Sequence, residues 1–216
     1  MPDIQPRIVF EAGPPRWRIE TLAIHIALEQ SPDGLLLRSL VEPGVARAWQ
    51  FLPRPLTYLW LSSHQSDRFS WRLRDWQHSV SGRFLTLTVE LEHATGDPAL
   101  VLAETVWVPT ALPILRRWVD IRNEGTSAVE IAQIHLLDLT FDLDLATSAL
   151  EVLWVDAFAG HRWDRWEPGD ANFACHTQLL QPSDAVRLPM GAYQQCCAWL
   201  ALQRDGGAGM AIGLEY

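Results

Sequence analysis

The sequence predicts an all-β chain folded as an antiparallel β-sandwich, and three observations carry this. Runs of alternating apolar and polar residues recur along it; the strictest sets Phe84, Thr86, Thr88 and Glu90 against Leu85, Leu87, Val89 and Leu91. Turn-forming clusters punctuate the runs at Ser31-Pro32-Asp33-Gly34, Ser81-Gly82, Thr95-Gly96-Asp97-Pro98, Asn123-Glu124-Gly125 and Asp205-Gly206-Gly207. No window sustains a helical period. Short alternating strands separated by frequent turns suit two antiparallel sheets packed face to face.

Taken in order, Ile8 to Phe10 reads as a short strand broken at Pro14-Pro15. Trp17 to Glu29 reads as one long alternating strand. Leu35 to Val41 returns as the second arm of a hairpin across the Ser31–Gly34 turn. Ala46 to Leu52 and Tyr58 to Leu61 are further short strands, and Ser62 to Asp67 is a loop. Phe69 to Trp76 and Phe84 to Leu91 alternate clearly. The stretch from Ala99 to Asp144 is expected to hold the heart of the fold, with strands at Leu100 to Val108, Ile114 to Asn123 and Val129 to Leu143. The last two are expected to pair as a long hairpin through the Asn123–Ser127 turn, with Val129, Ile131, Leu137, Leu139, Phe141 and Leu143 on the buried face. Ala149 to Phe158 and Phe173 to Leu180 follow as strands, with a loop from Gly160 to Asn172 and another from Pro182 to Gly191. Ala198 to Gln203 and Met210 to Tyr216 close the chain as a hairpin.

Composition narrows the function. The chain has 216 residues and a net charge of -9, and all its basic side chains are arginine. A chain of this length buries about 70 % of its unfolded surface, so a single sandwich over 1–216 needs no metal or disulfide to hold a core. An acidic surface repels phosphate backbones, which argues against a nucleic-acid partner. Three cysteines (Cys175, Cys196 and Cys197), two of them adjacent, make no disulfide framework and no C-x-x-C metal spacing. The N-terminus lacks the pattern of a signal peptide and no apolar run is long enough to span a membrane, so a reduced, cytoplasmic setting is expected. The chain stops at Glu215-Tyr216 inside an apparent strand, which reads as a truncated domain, the front part of a longer protein. Eleven tryptophans are the compositional outlier. Beyond those a core absorbs, exposed indoles suit sugar rings, whose axial C–H groups stack on aromatic faces.

The pieces LPILRRWVDIRNEG (112–125), LTFDLD (139–144), LEVLWVDAFAGHRWDRW (150–166), GAYQQCCAWLALQ (191–203) and GMAIGLEY (209–216) occur in a definite order. In that order the chain resembles the N-terminal β-sandwich of family 36 glycoside hydrolases, the α-galactosidases or melibiases of clan D. The resemblance implies a supersandwich of the galactose mutarotase-like kind, without a cofactor, that packs on a downstream catalytic barrel, supports homo-oligomer contacts and borders the active-site mouth for a galactoside. The family's catalytic aspartates lie on that barrel, one in a Lys-Trp-Asp motif that a lysine-free chain cannot contain. Catalytic residues are therefore expected to be absent here. Tyr193-Gln194 stand where the family commonly has His-Gln.

The candidate carbohydrate-binding or interface residues are His161, Trp163, Asp164, Arg165, Trp166 and Glu167 of the long loop, with Tyr193 and Gln194. The loop combines rings for stacking with carboxylates and a guanidinium for sugar hydroxyls; its plainer alternative is a loop whose tryptophans cap the sandwich. The strand face Arg116, Trp118, Asp120 and Arg122 is a second candidate for a sugar or partner, against a solvated face dressed by cross-strand ion pairs. Asp138, Asp142 and Asp144 offer oxygen ligands but lie on a predicted strand without the turns calcium needs, so no metal is expected. Asp156 or Asp164 with Glu167 make formal carboxylate pairs whose separation the sequence does not give. Cys196-Cys197 are expected to pack within a strand. Two alternatives stand beside the front-domain reading: a stand-alone carbohydrate-binding module, and a mutarotase-like enzyme using His176.

Overall fold

The computed structural model describes residues 5–43, 48–62, 69–141, 150–157, 174–180, 196–204 and 208–213. The described elements are β-strands, with no helix among them. The chain divides into two compact units, Met1–Asp142 and Leu143–Tyr216.

In the first unit, β1 (Arg7–Ala12), β2 (Pro15–Glu20), β3 (His25–Ser31), β4 (Gly34–Val41) and β5 (Ala48–Gln50) form one antiparallel sheet in sequence order. The expected strand from Trp17 to Glu29 is in fact two strands. Thr21 breaks it: its hydroxyl accepts hydrogen bonds from the backbone N–H groups of Ala23 (3.2 Å) and Ile24 (2.9 Å) and closes a tight turn. The alternation changes phase at that turn. Trp17 and Ile19 are buried before it, Ile26 and Leu28 after it, and the turn brings Ile19 opposite Ile26 and Trp17 opposite Leu28. The Ser31–Gly34 turn and the return strand form as predicted, with Gly34 at a φ of 136° that favours glycine.

A second sheet is built from β7 (Trp71–Val80), β8 (Phe84–His93), β9 (Leu100–Pro109) and β10 (Arg116–Asn123), in spatial order β10-β9-β8-β7; β6 (Tyr58–Leu61) lies outside it. Its inner face carries Leu85, Leu87, Val89, Leu91, Leu102, Val106 and Val108, all buried. The first sheet contributes Trp17, Ile19, Ile26, Leu28 and Leu35. Rings from both layers meet: Trp76 lies 4.7 Å from Phe10 and 6.2 Å from Trp17, centroid to centroid. Burying side chains of this size at roughly 1.5–3 kcal/mol each is the main term holding the two layers together. Outer faces carry cross-strand ion pairs such as Arg7–Glu20 (2.7 Å), Arg16–Glu29 (3.0 Å) and Arg72–Glu92 (2.7 Å). Exposed pairs of this kind contribute about 0–1 kcal/mol apiece.

The long hairpin expected between 114–123 and 129–143 does not form. β10 pairs instead with β9, in continuous register from Arg116 opposite Trp107 to Asn123 opposite Leu100. The turn at Asn123 exists: the Asn123 amide donates to the Ser127 carbonyl (2.8 Å) and accepts from the Gly125 N–H (3.0 Å). It directs the chain out of the sheet. The next strand is only β11 (Ile131–His135), and it pairs with β6 in a separate two-stranded ribbon. Ile131 and Leu137, assigned to a buried face, are exposed. β11 pairs only with β6, so its other edge carries no strand; Leu59 and Leu61 of β6 are buried, while Ile131 and Ile134 opposite them stay exposed.

The second unit holds one antiparallel sheet of β12 (Leu150–Ala157), β13 (Ala174–Leu180), β14 (Cys196–Arg204) and β15 (Ala208–Gly213), ordered β13-β12-β14-β15. Within the described residues, the strands predicted at 149–158 and 173–180 are present as β12 and β13, and β14 pairs with β15 as the predicted closing hairpin. Leu150, Val152 and Leu202 are buried, and Val152 stands opposite Leu202.

Candidate functional site

His161, Trp163, Asp164, Arg165, Trp166, Glu167, Tyr193 and Gln194 lie outside the described residues. Of the formal carboxylate pairs, Asp156 is placed in β12 opposite Ala174 and Cys197, while Asp164 and Glu167 lie outside the described residues. His176 stands opposite Trp154 in the β12–β13 pairing. Asp138 lies beyond the end of β11, not on a strand as expected, and Asp142 and Asp144 lie outside the described residues. Among the described residues, no three His, Cys, Asp or Glu side chains converge as metal ligands. Nor among them is there a helix long and apolar enough to cross a membrane.

The face Arg116, Trp118, Asp120 and Arg122 is the predicted site that the structure fills in. Strand alternation puts these residues on the outer side of the second sheet, while Arg117 and Val119 turn inward. Two of the four are engaged locally. Arg122 pairs with Glu90 at 2.6 Å, and the Arg116 guanidinium lies over the Trp107 ring, 5.2 Å from its centroid. Trp118 and Asp120 remain directed outward, and Trp118 is 47 % exposed. Register extends the face across three strands. Arg116, Trp107 and Thr86 form one row, and Trp118, Thr105 and Thr88 the next. Phe84 joins the first row with its ring 5.8 Å from Trp107. The Thr88 and Thr105 hydroxyls bond each other at 3.0 Å, which keeps the floor between the rings polar and flat. The result is a rigid sheet surface with an open indole, an outward carboxylate and neighbouring hydroxyls.

Sequence reasoning singled out Trp118 but missed Trp107 and Phe84. β9 reads LVLAETVWVP and is buried almost throughout, so alternation does not reveal which of its residues face out. Phe84 was placed on the correct face, yet nothing local ties it to a ring beyond a turn.

On the inner side of the same strands lies a buried ion pair. Glu104 is 0 % exposed and accepts hydrogen bonds at Oε2 from Arg117 Nε (2.9 Å) and Nη2 (2.6 Å). Arg117 also donates to the Thr57 hydroxyl and to the Leu136 carbonyl. Glu104 Oε1 is buried without a partner. Burial pushes the Glu104 carboxyl above the ordinary carboxylate range, opposed by Arg117 and Thr57. Perturbed carboxyls attract functional readings, but this one has no solvent access and serves structure. Its pH effect has a definite sign. The folded state holds the proton more tightly than the unfolded one, so the stability contributed by Glu104 is full below about pH 4.3 and is lost as pH rises through the raised folded value. The midpoint of thermal unfolding, wild type minus Glu104→Gln, is therefore expected to fall as pH rises above about 4.3; a difference that rises with pH would show that Arg117 outweighs burial.

No family model matches this chain, and no curated protein matches it either.

Proposed function

We propose that this chain is a non-catalytic carbohydrate-binding sandwich, and that it forms the front domain of a glycoside hydrolase of the α-galactosidase type. The observation that carries the first half is the outer face of the second sheet, where Trp118 presents an open ring beside Asp120 on a rigid support. A pyranose has one face of C–H groups and a rim of hydroxyls. The C–H face lies on the indole, where apolar surface leaves water, and the rim meets Asp120 and the half-buried Thr88. The second half rests on the ordered motifs from LPILRRWVDIRNEG to GMAIGLEY. On this reading the catalytic residues belong to a downstream barrel of the same polypeptide, the ligand is a galactoside, and the parent protein is a homo-oligomer of the reducing cytoplasm.

Titration of the full chain with galacto-oligosaccharides, followed by tryptophan fluorescence and calorimetry, tests the reading. Saturable binding is expected, with uptake at the Trp118 face weakened about tenfold or more by Trp118→Ala, which corresponds to about 1.4 kcal/mol. Trp118 is half exposed on the outer face and is not part of the buried core, so the variant keeps the core intact. No binding of any hexose saccharide, or binding unaffected by Trp118→Ala, would overturn it.

A further inference from the structure

The ribbon of β6 and β11 carries a second surface of the same chemical kind. Leu59 and Leu61 turn into the core, so alternation sends Tyr58 and Trp60 the other way. Cross-strand pairing sets His135 opposite Tyr58 and Gln133 opposite Trp60, so all four share one face. The Tyr58 and Trp60 rings lie 5.7 Å apart and nearly parallel, and the His135 ring meets Trp60 edge-on at 4.6 Å. The Gln133 amide and the His135 imidazole bond each other at 2.7 Å, which fixes both beside the indole. Trp60 is still 38 % exposed, and Gln133 is exposed with it.

The chemistry selects the ligand. The face offers a planar apolar ring and, beside it, a phenol, an amide and an imidazole. Among the described residues, the four side chains that share this face include no carboxylate and no guanidinium, which favours a neutral ligand over an anion or a charged peptide. A neutral polyol with one apolar side matches both parts, and a pyranose is such a molecule.

The two surfaces point apart. Arg117 reaches inward from β10 to Thr57, next to Tyr58, and to the carbonyl of Leu136, next to His135. The ribbon therefore lies on the inner side of β10, with Leu59 and Leu61 toward the core and Trp60 away from it. Trp118 leaves β10 on the opposite side. One short saccharide cannot touch both rings.

The geometry points to a second pyranose site at Tyr58, Trp60, Gln133 and His135, which makes the chain bivalent and able to bridge two saccharide chains. This rests on the carbohydrate reading above, and deepens it. Two sites on one rigid body gain affinity for a polymer through effective concentration, without any new contact.

The test is calorimetric titration of the full chain with galactotriose, with galactomannan as the polymeric probe. Wild type is expected to take up two equivalents of the trisaccharide, and Trp60→Ala and Trp118→Ala one each. Either substitution should weaken galactomannan binding by about tenfold or more through lost bivalency. Gln133→Leu, which leaves the rings in place, serves as the second variant and should weaken the same class of site as Trp60→Ala. A single equivalent, lost in Trp118→Ala and unchanged in Trp60→Ala and Gln133→Leu, would overturn the second site and leave the first. A single equivalent lost only in Trp60→Ala would keep the ribbon site and overturn the Trp118 face. No uptake by wild type would overturn both.

Discussion

Replacing Arg117 with alanine is expected to lower the free energy of unfolding by about 3–5 kcal/mol at neutral pH. The guanidinium is 9 % exposed and supplies both hydrogen bonds that Glu104 Oε2 receives. Removing it leaves a carboxyl that is 0 % exposed and stripped of its cation and of both Arg117 hydrogen bonds, with Oε1 already buried without a partner. The same substitution releases the Thr57 hydroxyl and the Leu136 carbonyl, which flank β6 and β11 and tie β10 to the ribbon. Denaturant unfolding followed by tryptophan fluorescence measures the loss. The double variant Glu104→Leu/Arg117→Met separates two meanings of that number. A buried ion pair gains little over apolar side chains of similar volume, so the double variant should recover most of the loss. A loss under about 1 kcal/mol for Arg117→Ala would mean that Glu104 is neutral or hydrated in the folded chain. A double variant as unstable as the single one would mean that the ribbon tether carries the energy, not the charge.

How much of this was legible in the sequence depends on the range of the interaction. β8 was read correctly because its alternation is strict and each residue reports its own face. The Ser31–Gly34 turn was read because its chemistry is local. The Thr21 turn was missed because its signal is a change of phase in an otherwise continuous apolar pattern. Trp17 and Ile19 precede it on odd positions, Ile26 and Leu28 follow on even ones, and a threonine makes the bend without glycine or proline. The pairing of β11 differs from expectation because adjacency in sequence favours a hairpin, whereas β10 makes its full register with β9. The Glu104–Arg117 pair shows the limit most clearly. Glu104 sits in a run of apolar residues, and its partner becomes visible only once Val119 is known to stand opposite Glu104. For the candidate site, alternation identified Trp118, but the rows that join it to Thr105, and Arg116 to Trp107, come from register alone.

Trp17→Ala is expected to cost about 3–5 kcal/mol, while Trp17→Phe should cost far less than a loss of ring volume suggests. Trp17 is 0 % exposed and sits where the two sheets meet, with Phe10 at 5.5 Å and Trp76 at 6.2 Å between ring centroids. Alanine leaves a cavity in the middle of that cluster, lined by rings that relax only in part, so both the transfer and the cavity terms apply. The indole N–H adds a second consideration: it is buried without a hydrogen-bond partner, a state that costs roughly 1–3 kcal/mol. Phenylalanine removes that unsatisfied donor as it removes volume, and the two effects oppose each other. Equilibrium denaturation of both variants, with a common slope against denaturant, gives the comparison. If Trp17→Phe proves as destabilising as Trp17→Ala, the N–H is satisfied by a buried water and the shape of the indole is what the core requires. If Trp17→Phe matches wild type to within about 1 kcal/mol, the orphaned donor is a real cost that the aromatic packing of Phe10 and Trp76 offsets.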